Sequence, residues 1–122
     1  MTDSMFVILY VDNAAASAAF YSCLFDKMPV AGSATFISIE LNPGLTLGLW
    51  SRNAVRPDAA STVGGGEIGF VVNDHAAVDA TCAEWTSRGV EIHLAPVDTH
   101  FGRTFVALDP DGHHIRVLCP AD

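Results

Sequence analysis

Fourteen carboxylates, five histidines and three cysteines are the side chains of this 122-residue chain that could move a proton, attack a carbonyl or hold a metal ion. Their spacing excludes several chemistries. There is no nucleophile elbow, no phosphate loop and no His-x-x-x-His pair. Gly64-Gly65-Gly66 lacks the lysine and following helix that a phosphate cradle needs, and reads as a linker. Cys23, Cys82 and Cys119 have no CxxC spacing. Their odd number, behind a start (Met1-Thr2-Asp3-Ser4) with no basic leader region, reads as reduced thiols in a cytoplasmic protein. Each is expected to be a small buried hydrophobe rather than a nucleophile. Among the histidines, His75 starts a helical stretch, His93 sits in a short strand, His100 in a loop, and His113 behind a turn glycine. His114 alternates with Arg116 on one strand face and is the one expected near a site, against the ordinary alternative of a hydrogen-bonded strand histidine. With Glu67 it could act as a general acid/base pair, although nothing in the spacing demands that.

The elements that must position these groups repeat once. Phe6 to Asn13 is an apolar strand-like run ending in turn-formers, and Ala14 to Phe25 is Ala-rich with Phe20, Tyr21 and Leu24 at helical spacing. Glu67 to Asp74 repeats the strand, and Ala76 to Arg88 repeats the helix with Val78, Cys82 and Trp85 on one face and Gly89 as its C-cap. Shorter β-like runs follow each helix: Thr35–Leu41 and Leu45–Trp50 around Asn42-Pro43-Gly44, then Val90–Leu94, Arg103–Leu108 and His114–Leu118. Asp109-Pro110-Asp111-Gly112 is a tight hairpin turn, because proline presets φ and glycine accepts φ > 0. Ser51 to Gly66 reads as one long flexible connector. The chain is therefore expected to be α+β, with one module over 1–60, including the start of the linker, and a second over 61–122. In each, a helix covers one sheet face and leaves the other for its twin, a partner chain or a ligand.

Half of the residues are hydrophobic and 16% are charged, which excludes a disordered chain. A net charge of −8 argues against nucleic acid and anionic membrane as partners; it would welcome a cationic ligand, although charge alone predicts none. No apolar run reaches the ~20 residues of a membrane helix.

With this order of elements, Val11-Asp12-Asn13 leading to Ser17-Ala18-Ala19-Phe20-Tyr21, and Phe101-Gly102-Arg103-Thr104-Phe105 running to Asp109-Pro110-Asp111-Gly112-His113, the chain resembles the vicinal oxygen chelate superfamily. This is the glyoxalase, bleomycin-resistance and ring-cleaving dioxygenase group. The resemblance implies two tandem βαβββ modules whose curved mixed sheets form a cleft, in a homodimer. Metal-dependent members carry one ligand on the first and last inward strand of each module. The matching positions here are Phe6, Gly48, Glu67 and Arg116. Phenylalanine and glycine cannot ligate, and a permanent guanidinium charge opposes a cation. Glu67 and Arg116 are expected to pair with each other instead. No cofactor, no metal and no catalytic residue is therefore expected, and the chain leans away from being an enzyme.

Aromatic side chains point to binding. Trp50, Phe101, Phe6 and Phe36 are expected along the cleft, with Tyr10 on the same face as Phe6, while Val7, Leu9 and Val11 face the helix and Trp85 belongs to the core. Each aromatic contact to a planar ligand contributes about 1 kcal/mol beyond burial. The leading expectation is metal-independent sequestration of a small planar organic molecule, an antibiotic or a metabolite. Stacking would fall to Trp50 and Phe101, closure to the 51–66 loop, and polar orientation to Glu67, Arg116 and His114. The alternatives are a metal-dependent glyoxalase-type lyase or isomerase, or a ring-cleaving dioxygenase, with its ligands at other positions. A third is an interaction module with no small ligand.

Overall fold

The computed structural model describes residues 5–56, 59 and 66–122. Two compact units, Met1–Ser61 and Thr62–Asp122, divide the chain. In the first, β1 (Met5–Val11) is followed by α1 (Ala14–Phe25), β2 (Pro29–Ala31), β3 (Phe36–Asn42) and β4 (Leu45–Ser51). Its four-stranded sheet has the order β1-β4-β3-β2, with β1 parallel to β4 and the other pairs antiparallel. In the second, β5 (Glu67–Val71) and α2 (His75–Ser87) precede β6 (Glu91–Thr99), β7 (Gly102–Leu108) and β8 (His114–Pro120), in the sheet order β5-β8-β7-β6. Two mixed sheets, each with one helix, make the α+β fold that the repeat predicts. Among the described residues no helix is long and apolar enough to cross a membrane.

Both helices start on a side-chain cap. Asn13 accepts from the Ala16 amide at 3.0 Å, and Asp74 from that of Ala77 at 2.7 Å. Helix α1 buries Ala14, Ser17, Ala18, Tyr21 and Leu24, the three- and four-residue spacing of a single face. It covers Ile39, Leu47 and Leu49, which are fully buried on β3 and β4. In the second unit Trp85 meets Phe105 edge-on, with centroids 5.4 Å apart, over Ile115 and Val117. Trp85 is core, as its helical spacing predicts.

The turn at 109–112 is built as expected. Gly112 has φ 90°, and its amide donates to the Asp109 carbonyl. The Asp109 carboxylate, itself 5% exposed, accepts from the amides of Asp111 (2.9 Å) and His113 (2.8 Å). Asp109→Ala leaves two amides without this acceptor, so a loss of about 1–2 kcal/mol is expected in denaturant titrations.

Four expectations need correction. Strand β2 has no reading of its own in the sequence, because its three residues are all exposed and show no alternation. Strand β6 runs to Thr99, well beyond Leu94. It lies at the sheet edge, where Pro96 costs no interior ladder bond, and it absorbs register shifts at Ile92/Leu94 and Leu94/Val97. The start of the connector is ordered rather than loose: Arg52–Ala54 is a 3-10 turn, Val55 is 1% exposed, and the Ser51 hydroxyl accepts from the Ala14 amide at 3.2 Å. Pro57 and Gly64-Gly65 fall outside the described residues. Cys82 and Cys119 are buried as expected, whereas Cys23 is exposed on the outer side of α1.

Arg103 ties α2, β6 and β7 together on the surface, donating to Asp79 (2.9 and 3.0 Å) and Asp98 (2.8 Å). The Arg103 hydrogen bond holds the Asp98 carboxyl below its ordinary range. A lowered folded-state value stabilises the fold above the ordinary aspartate range of about 4, and that contribution is lost as pH falls through the lowered value. Asp98→Asn should therefore melt slightly below wild type at pH 7. The difference between the two should shrink as pH falls below the ordinary aspartate range.

Candidate functional site

The open face of the first sheet carries three rows of side chains, set by strand register. Phe6 lies opposite Thr46 and then Glu40; Ile8 opposite Gly48 and Ser38; Tyr10 opposite Trp50 and Phe36. These sets alternate with Val11, Leu47, Leu49 and Ile39, which are buried on the helix side. The period-two reading of β1 thus gives the correct face for Phe6 and Tyr10. Phe6 is 69% exposed and Met5 70%, unusual for large apolar side chains.

On this face lies an open cavity of about 360 Å³ lined by Met5, Phe6, Ile8, Phe36, Ser38, Thr46 and Gly48. Its volume is near the low end of ligand pockets, roughly 300–1,000 Å³, and suits a small ring system better than a large peptide-like drug. Phe6 and Phe36 are in the wall. Trp50 and Tyr10 share the row of Phe36 but lie outside the lining, and Trp50 meets Phe36 edge-on with centroids 6.0 Å apart. Trp50 therefore braces the wall rather than forming it. Sequence reasoning put Ile8 on the face of Phe6 and Tyr10 but missed Met5, Ser38 and Thr46. Thr46 and Ser38 are legible as open-face positions once Gly48 is placed, since alternation along β4 and pairing with β3 bring them there.

In the second unit, the expected pair forms: Arg116 Nε lies 2.5 Å from Glu67 Oε2, and Nη2 lies 3.3 Å from Oε1. Glu67 is the Cα partner of His114, one row along the sheet from Arg116. Arg116 also donates to Thr104 Oγ1 at 3.2 Å, and its guanidinium carbon stands 5.8 Å from the centre of the Phe101 ring. Phe101 is 43% exposed in the β6–β7 turn. His114 Nδ1 is 4.0 Å from Glu67 Oε1, beyond hydrogen-bond distance. The carboxylate is thus committed to arginine, and the Glu67–His114 acid/base pair is not assembled. His114 instead faces His93, with ring centroids 5.1 Å apart. His93 was missed because the irregular pairing of β6 skips it, leaving it without a Cα partner on β7. Pro96 was the one hint that this edge is irregular.

The residues at the four ligand positions implied by the resemblance do not fit a divalent cation. In the first unit Phe6 and Gly48 bring no donor atom, and in the second the guanidinium of Arg116 holds the Glu67 carboxylate. Burial pushes the Cys82 thiol above its ordinary range, which disfavours the thiolate at that position.

Comparison with known proteins agrees with this architecture. The model of the Glyoxalase/Bleomycin resistance protein/Dioxygenase superfamily matches residues 5–117. The phenazine antibiotic resistance protein EhpR of Enterobacter agglomerans is 33% identical over 118 residues, which span 94% of this chain and 89% of that protein. The solution structure of protein ATC0852 from Agrobacterium tumefaciens is 49% identical, with a TM-score of 0.87 and full coverage of both chains. A glyoxalase-related enzyme from Fulvimarina pelagi shares the fold at a TM-score of 0.81 over 98% of this chain and 88% of its own, at 20% identity. On the matched model, the relative and the two-sheet architecture together, this chain belongs to the Glyoxalase/Bleomycin resistance protein/Dioxygenase superfamily.

Proposed function

We propose that this protein binds and sequesters a small planar aromatic molecule, without a metal ion and without chemical change, in the manner of a resistance protein. The observation that carries the reading is the apolar cavity on the open face of the first sheet, whose seven lining residues include no ionised side chain. Phe6 and Phe36 offer ring faces there, and Tyr10 and Trp50 extend the same aromatic surface. In the second unit, Phe101 with Glu67, His114 and Arg116 offers a ring beside polar groups on that unit's own open face. The relative EhpR, a phenazine antibiotic resistance protein, supports a planar nitrogen heterocycle as ligand. The metal-free part of the reading is supported by the Glu67–Arg116 pair and by the absence of donors at Phe6 and Gly48. The same proposal includes a homodimer in the cytoplasm, which light scattering and fractionation test.

The decisive experiment has two parts: elemental analysis of protein purified without chelator, then calorimetric titration with phenazine in the presence and absence of EDTA. The expected outcome is no stoichiometric metal and a dissociation constant on the order of micromolar or tighter, unchanged by chelator. One tightly bound ion per chain, or binding that chelator abolishes, would move the metal-dependent enzymes of this superfamily to first place.

A further inference from the structure

Gly48 occupies the middle of β4 and floors the cavity, yet nothing in its backbone calls for glycine. Its φ lies outside the left-handed region, so any residue could adopt this strand conformation. The reason is steric. A Cβ at this position would stand 2.9 Å from Phe36 Cζ, 3.0 Å from its Cε1 and 3.2 Å from Ile8 Cγ1. The Phe36 ring lies down over the strand in the space that a side chain would take.

That ring has little freedom to go elsewhere. The Phe36 carbonyl accepts from the amides of Gly32 (3.0 Å) and Ser33 (3.1 Å), which fixes the start of β3. Its Cδ2 lies 3.3 Å from where a Cβ on Gly32 would stand, and Trp50 meets it edge-on. Gly32, Gly48 and Trp50 thus flank the ring, which also lines the cavity. A methyl group at 48 presses on the far tip of the ring, so the ring swings into the cavity while the backbone stays in place.

We infer that Gly48 is the specificity-determining residue of this site: by letting Phe36 lie flat, it sets the depth that admits a fused, multi-ring planar aromatic. The bound part of that ligand is uncharged, because an ion placed against Met5, Phe6, Ile8 and Phe36 would lose hydration without a partner. Ser38 and Thr46, the two hydroxyls of the lining, then read one hydroxyl, carbonyl or ring nitrogen at its edge. This inference rests on the functional reading above and goes further in naming the size and polarity of the ligand.

The test measures phenazine (three fused rings) and quinoxaline (two) by calorimetry against wild type, Gly48→Ala, Phe36→Leu and the double variant. Gly48→Ala should weaken phenazine at least about tenfold and quinoxaline less than about threefold, with melting within a few degrees of wild type. The double variant should bind phenazine about as well as Phe36→Leu alone, because alanine at 48 does its harm through the ring that Phe36→Leu has removed. Equal losses for both ligands, no loss for either, or a double variant that binds phenazine clearly more weakly than Phe36→Leu would overturn the inference. If Gly48→Ala fails to fold, Phe36→Leu alone decides: the ratio of the two affinities must change, and an unchanged ratio overturns it. Wild-type protein that binds neither ligand would sink the functional reading itself. Wild-type binding with indifferent variants would sink only the role of Gly48.

Discussion

Gly102→Ala is expected to lose about 3 kcal/mol or more of stability and to lower the melting temperature by about 10 °C or more. Gly102 opens β7 at φ 141°, a conformation that side-chain-bearing residues rarely adopt. A Cβ there would lie 2.1 Å from the Cys119 carbonyl oxygen and 2.9 Å from both Ala121 N and Pro120 Cα. All three are backbone atoms, so no side chain can rotate away. Relief requires β7 and β8 to part where Gly102 faces Pro120. The same shift breaks the bond from the Ala121 amide to the Phe101 carbonyl (2.9 Å) and moves the Phe101 ring away from Arg116. Gly69→Ala is the control. Its Cβ would meet nothing within 4 Å and its φ is not left-handed, so alanine should be neutral or stabilising by up to about 1 kcal/mol. Thermal melts of the two variants side by side check both statements, and equal effects would refute the steric account.

Trp50→Ala should weaken planar-ligand binding about tenfold while the chain stays folded. Trp50 is half-buried on the open face and touches the cavity through Phe36 rather than directly. Truncation removes the edge contact that holds the Phe36 ring and the aromatic surface that continues from it. The stability cost should be about 1–2 kcal/mol, below the 3–5 kcal/mol of a fully buried aromatic, because Trp50 is only partly buried. Phe6→Ala offers a cleaner version. At 69% exposure Phe6 holds little of the fold, so binding should fall with stability changed by about 0.5 kcal/mol or less. Fluorescence quenching for affinity and urea titration for stability separate the two effects. Collapse of the fold in Trp50→Ala would make Trp50 a core residue and remove it from the site.

Local signals carried much of this molecule. Alternation along β1 separated Phe6, Ile8 and Tyr10 from Val7, Leu9 and Val11, because strand side chains point to opposite faces with period two. The Ala-rich run after Asn13, the capped helix after Asp74 and the 109–112 turn need only neighbours in sequence, and each formed close to where it was read. The Glu67–Arg116 pair was legible for a different reason: the superfamily's strand order makes β5 and β8 neighbours, so placing the strands placed the charges.

What the chain alone determined is the repeated strand–helix–strands unit, the faces of its strands and the charge chemistry of one site position. Tertiary structure decided the rest. His93 reached His114 only through a bulged edge strand, where pairing beyond Pro96 depends on β7 rather than on local pattern. Val55 turned the start of an apparent linker into core, because burial belongs to the surface it lands on and not to its own neighbours. The sequence also presents Gly48 as a metal-ligand position that has lost its donor. Its steric role appears only when Phe36, from another strand, lies across it, since a cavity is defined by atoms distant in sequence that meet in space.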